Sequence, residues 1–201
     1  MKKLLFSFCL IFGTYIFQSC NNEIPNKDSV DRAKDLNAEK DTAVAINEND
    51  SAKANKLLVT RDAADFAVTA ADRCMTQIAL SKLAKHRAAS QRVKDLATMV
   101  IQDNGDVVKK LKALASAKNI SLPAKVSYDS QKDIDTLKTK KGIDFDKEYI
   151  SIMIQDHKKA TDDFKEASNR ITDPDIQNFT ALILPKLLLH LDYAKAISDK
   201  K

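Results

Sequence analysis

At 201 residues, with three glycines, four prolines and no tryptophan, the chain has too few turn formers for a many-stranded sheet and no glycine-rich loop to cradle a nucleotide phosphate. Lys and Arg number 33 against 28 Asp and Glu, a formal charge of +5, but Lys2 and Lys3 belong to an N-terminal export signal and the other lysines are mixed with aspartates. No basic run is interleaved with aromatics, which excludes a nucleic-acid surface and describes a solvated helix exterior.

Lys2 and Lys3 form a basic start, and Leu4 to Phe17 an apolar run too short to span a bilayer comfortably. Ser19-Cys20 follows, and a cysteine in that place resembles the lipobox of bacterial lipoproteins, although Phe17 and Gln18 depart from its usual Leu and small residue. The expectation is a lipoprotein signal over 1–19, with Cys20 lipidated as the mature N-terminus and the membrane as partner through that lipid; the alternative is ordinary cleavage with Cys20 incidental. Asn21, in place of the Asp that retains enteric lipoproteins at the inner membrane, favours the outer membrane of a Gram-negative-type envelope. Cys9 leaves with the signal, so Cys74 has no disulfide partner and reads as a small buried hydrophobe.

Residues 20–59 are polar and read as a flexible tether, with a transient helix over Asp28 to Lys40 that nothing obliges to pack. The domain then occupies 60–201. Thr60 is expected to cap a first helix reaching Ala88, with Phe66, Ala70, Cys74, Gln77, Leu80 and Ala84 on its buried stripe. Ser90 caps a second helix to Ala117, with a stripe from Val93 to Leu114 through Asn104. Asn104-Gly105 is a turn signal, but the apolar phase continues across it, so one helix is expected. After a long connection holding Pro123 and a short helix over Ser130 to Lys140, a third helix starts at Asp144 and runs to Arg170. Asp173-Pro174-Asp175 opens the fourth, with Pro185 inside it predicting a kink. Short turns make antiparallel hairpins and the long crossover joins them, so the expected fold class is all-α, a ferritin-like four-helix bundle.

One polar residue interrupts each stripe near mid-helix: Gln77, Asn104, His157 and His190. Mid-helix positions fall at similar depth, so the four meet in one buried layer, where such bundles build metal sites. A di-iron oxidase is excluded, because Ile154 and Leu187 stand where each histidine needs a glutamate three residues earlier, and no stripe carries an inward Glu. Two readings remain. One is a hydrogen-bonded network that specifies the core. The other is a single transition metal ion on His157 and His190, with Gln77, Asn104 or water completing the shell; Asp103 and Asp156 neighbour the stripe, and Asp156 is the better-placed of the two to rotate inward. No catalytic constellation is visible, and His86 reads as a surface residue at a helix C-terminus. Met99 to Asn104 echoes Ile152 to His157, which aligns Asn104 with His157.

Ala70-Ala71-Asp72, Phe145-Asp146-Lys147-Glu148-Tyr149, Met153-Ile154-Gln155-Asp156-His157 and Leu184-Pro185 with Leu189-His190-Leu191 together resemble a bacterial ferritin-like family of unknown function, described as predicted outer-membrane proteins. Asp28 to Lys34 also looks like those relatives. The resemblance implies Glu where this chain has Gln77 and His where it has Asn104, so this member carries a depleted site layer. It implies the fold and an exported, envelope compartment and supplies no reaction; the expectation from the residues is a non-enzymatic binding, structural or stress-related envelope protein, with mononuclear metal binding (zinc, copper or iron) as the alternative.

Overall fold

The computed structural model describes residues 27–45 and 51–199; the signal segment, Cys20 and Asn21 lie outside them. The described residues are helical, with no strand among them: α1 (Ser29–Ala45), α2 (Ser51–Arg87), α3 (Gln91–Ala117), α4 (Tyr128–Thr139), α5 (Gly142–Arg170) and α6 (Pro174–Ser198). From α2 to α6 the helix order follows the apolar periodicity, and α3 runs unbroken through Asn104-Gly105. A Cβ built on Gly105 would meet no atom within 4 Å, so that glycine answers no packing demand.

Short turns at 88–90 and 171–173 close the hairpins α2–α3 and α5–α6. The second helix of each hairpin, α3 and α6, has its start fixed by an aspartate. The Asp173 carboxylate accepts from the Asp175 and Ile176 amides while Pro174 fills the first helical position, and the helix continues through Pro185. Ser90 stands at the N-cap of α3 but its side chain does not cap. Asp146 of α5 does that instead, accepting from the Ala89 amide at 2.9 Å and the Ser90 amide at 2.7 Å, which ties the first hairpin to the second. At the other end of α3, Asn119 adopts a left-handed φ of 54° and the Ile120 amide returns to the Ala115 carbonyl, stopping the helix.

Residues that pair between helices give the directions. Arg73, Gln77 and Ser81 of α2 meet Asp163, Asp156 and Tyr149 of α5 in descending order, so these helices are antiparallel. Arg92, Asp103 and Lys118 meet Ala196, His190 and Asp173 in the same manner, so α3 opposes α6. α2, α3, α6 and α5 therefore form a ring of antiparallel neighbours with parallel diagonals. The core falls into two apolar clusters. One is built on Phe66, Phe164 and Phe179, whose rings lie 5.0–6.3 Å apart, with Leu111 and Ile183. The other holds Leu80, Leu96, Phe145, Tyr149 and Met153.

Three expectations are corrected. The tether reading fails over 29–45: α1 packs on α2, burying Ala33, and on the crossover. The stretch Asn119–Ser127 runs between α3 and α4 without a ladder of its own, and α1 side chains satisfy it. Asn37 donates to the Ser121 carbonyl at 3.0 Å and accepts from the Ser121 amide at 2.7 Å, Ser29 Oγ accepts from the amides of Ala124 and Lys125, and Asp28 accepts from the Tyr128 amide. A polar helix packs here through hydrogen bonds rather than apolar area, which is why periodicity does not reveal it. Thr60 is not a cap, because Ser51–Val59 contains neither Gly nor Pro and α2 begins at Ser51. Gly142, at a φ of 53°, makes the tight α4–α5 junction and starts α5 ahead of Asp144.

Asn37→Ala should therefore lower stability by about 1–3 kcal/mol in urea unfolding and speed hydrogen exchange at the Ser121 amide, because the partly buried Ser121 backbone loses the side chain that pairs both its groups. Unchanged exchange there would mean that α1 does not hold the crossover.

Candidate functional site

The four layer residues lie between the two apolar clusters, one turn from Cys74, Val107, Ala160 and Leu187 on one side and from Leu80, Val100, Met153 and Ala194 on the other. Gln77 is 1% exposed, Asn104 2%, His157 0% and His190 1%. Each buried donor and acceptor must then find a partner within the protein. The hydrogen bonds fall into two sets.

The amide set starts at Asn104, which donates to Gln77 Oε1 at 2.6 Å. Gln77 Nε2 donates to Asp156 at 2.7 Å, and Arg73 of α2 grips the other oxygen of that carboxylate at 2.7 Å while also holding Asp163. The imidazole set starts at the Met153 carbonyl, 2.9 Å from His157 Nδ1. His157 Nε2 lies 3.3 Å from His190 Nδ1, and the rings meet edge to face at 79°. His190 Nε2 lies 2.8 Å from Asp103, whose other oxygen is bonded by Lys186.

The two sets match residue for residue about the bundle axis. Asn104 corresponds to His157, Gln77 to His190, Asp156 to Asp103, and Arg73 to Lys186; the base precedes its layer residue by one turn in both halves. The echo between Met99–Asn104 and Ile152–His157 is the sequence trace of that symmetry. Of the residues singled out from sequence, the layer thus pairs His157 with His190 and joins Gln77 to Asn104 and Asp156. Asp156 turns toward α2, not toward the histidines. Asp103, beside the stripe like Asp156, ranked behind it as a carboxylate to turn inward, yet it is the one that meets a histidine; Lys186 and Arg73 were not singled out. The carboxylates sit one residue before a layer position, about 100° round the helix, so they face a neighbouring helix rather than the axis. Cys74 is buried as expected, and burial first and the Asp156 charge second push its thiol up to about 12, which leaves it unreactive.

The halves differ in proton count. An amide carries donors and an acceptor together, so Asn104 to Gln77 to Asp156 is satisfied without added charge. A neutral imidazole has one N–H. His157 spends its own on the Met153 carbonyl and His190 on Asp103, which leaves two lone pairs facing each other at 3.3 Å. A hydrogen bond between them requires one extra proton, and the other way to join two lone pairs is a cation that both coordinate. Protonation is opposed: burial, with the neighbouring His190 second, pushes His157 down to about 4. Burial also holds His190 below its ordinary range in spite of Asp103. Asp103 is raised by burial but held below its usual range by the hydrogen bonds from Lys186 and His190. Among the described residues no three His, Cys, Asp or Glu side chains converge on one point, so protein donors for a metal here are the two imidazole nitrogens.

Two outcomes follow for the metal-free protein. A histidine whose folded pKa lies below its unfolded one takes up protons on unfolding, so stability is full above about pH 6.5 and falls as the pH drops toward 4. His157 alone should contribute about 2–3 kcal/mol of that loss by pH 4.5, and His157→Gln should flatten the urea midpoint between pH 7.5 and 4.5. Gln77→Glu sets a carboxylate against Asp156 and should cost about 2–3 kcal/mol at pH 7, with part recovered near pH 4.5. A deficit relative to the wild-type chain that is the same at both pH values would refute the amide-to-carboxylate bond.

No curated protein and no solved structure matches the chain. A family model does match, over residues 48–197, which takes in α2 to α6 and the whole layer. That match covers most of the chain, which belongs to the family described as domain of unknown function DUF4142.

Proposed function

We propose that the protein is an exported, lipid-anchored component of the cell envelope, with a ferritin-like bundle that works as a non-enzymatic binding or structural element. The hairpin, crossover, hairpin order with parallel diagonals supports the ferritin-like reading. The basic start, short apolar run and Ser19-Cys20 support export and lipidation, and Asn21 supports the outer membrane as destination.

One observation carries the non-enzymatic reading: the four residues that mark a bundle's reaction centre are at most 2% exposed. In the amide half Asn104 and Gln77 bond each other and Gln77 bonds Asp156, so both ends of the Gln77 amide are already engaged inside the protein. A second reading, mononuclear metal binding by His157 and His190, is favoured by the opposed imidazole nitrogens 3.3 Å apart.

Metabolic labelling with a radioactive fatty acid tests the anchor. The wild-type chain should take up label and partition into detergent, and Cys20→Ala should do neither. Label retained in that variant would remove the anchor from the proposal.

A further inference from the structure

Away from the layer, where α3 and α5 begin and α6 ends, a groove of about 600 Å³ is lined by the start of α3, one face of α5 and the last turn of α6. Its apolar walls are Val93, Ile143, Ile150, Ile154 and Ile197. Val93 and Ile150 are buried beneath it, and Ile143, 68% exposed, stands at its edge. Ile143, Ile150 and Ile154 share one face of α5 at spacings of seven and four residues, and that length of helix rises about 16 Å. The apolar strip is long rather than broad, which suits an extended chain, and the volume is that of a small-ligand site. Among the described residues no aromatic ring lines it, so a planar ligand has nothing to stack on.

Charge selects the head of that chain. The lining holds two cations, Arg92 and Lys147, and one carboxylate, Asp146. Both Asp146 oxygens are already bonded to the Ala89 and Ser90 amides, where the start of α3 offsets its charge. Arg92 donates one of its five N–H groups to the Ala196 carbonyl at 2.9 Å, which holds the last turn of α6 to the start of α3. Lys147 lies between Ile143 and Ile150 on the same face of α5 and is exposed. Ser90 adds a hydroxyl that makes no cap bond. An anionic group therefore finds two cations beside the apolar strip, whereas a cationic one finds only a carboxylate that is already engaged. We infer that the groove is a binding site for a single-chain anionic amphiphile, a long-chain fatty acid, with its carboxylate at Arg92 and Lys147 and its tail along Ile150 and Ile154. This deepens the reading of the bundle as a non-enzymatic binding element and rests on it; the metal reading is separate, because no layer residue lines the groove.

The test uses the full chain in phosphatidylcholine nanodiscs and palmitic acid carrying a diazirine on its tail, with the cross-links located by mass spectrometry. Label should fall on Ile150 to Gln155 and on Ile197. Unlabelled palmitate should displace it at about one tenth of the concentration that hexadecanol or hexadecyltrimethylammonium requires. Lys147→Glu reverses the charge at the head and Ser151→Phe fills the groove; both positions are exposed, so the fold is kept, and each variant should cut groove labelling about tenfold. Label confined to Leu182 and Leu189, exposed on α6 outside the lining, would mean that the tail only touches the helix surface and would overturn the site. Equal displacement by all three amphiphiles would overturn the anionic class. Amine cross-links joining Lys147 of two copies, with no label at Ile154, would give the groove to a second copy instead. Palmitate recovered unchanged is expected; its conversion with label still in the groove would keep the site and end the non-enzymatic reading.

Discussion

The cost of a buried polar group without a partner governs this bundle. Four helices each bring one such group to the same depth, and a slip of one turn on any helix would set an amide or an imidazole against an aromatic or aliphatic cluster. Apolar side chains alone tolerate such slips, because a leucine packs nearly as well against one leucine as against the next. Hydrogen bonds of 2.6–2.9 Å do not. The layer therefore sets the axial register, and the phenylalanine cluster below it and the tyrosine cluster above it fill the depth that register leaves.

The carboxylates and their bases extend that register to the rim. Asp156 and Asp103 each link a layer residue to a cation one turn away on the same neighbouring helix, so the α2–α5 and α3–α6 contacts are locked by equivalent devices. Asp146 adds a third link at one end by capping α3 from α5. Asp72 adds a fourth: it accepts from the Ser127 amide and from the hydroxyls of Ser127 and Ser130, so α2 seats the start of α4. Half-buried aspartates hold the helices together from outside the apolar stripes.

That division explains what the amino-acid pattern discloses. Residues on the stripes were legible, because burial imposes a 3.6-residue period on composition, and Gln77, Asn104, His157 and His190 stood out as its four polar interruptions. The Asp173-Pro174 start was legible for the same kind of reason, a local rule satisfied by local residues. The roles of Asp103, Lys186 and Arg73 were not, because an aspartate beside a stripe resembles any solvated aspartate until the neighbouring helix supplies its partner. Likewise α1 carries few large apolar residues, and its attachment depends on Ser29 and Asn37 meeting a strand-like segment more than eighty residues away. Long-range polar pairing leaves no periodic trace in the chain.

α1 fastens the connection between the hairpins. Its start at Ser29 lies beside Ala124 and Lys125, and Asp28 accepts from the Tyr128 amide, so the first turn is fixed to the crossover. The crossover is the single connection between the hairpins and is also held by Asp72 of α2, one residue before the Arg73 that grips Asp156. α2, α3, α6 and α5 close their own ring of contacts without α1, so the register on which the imidazole pair depends is set inside that ring.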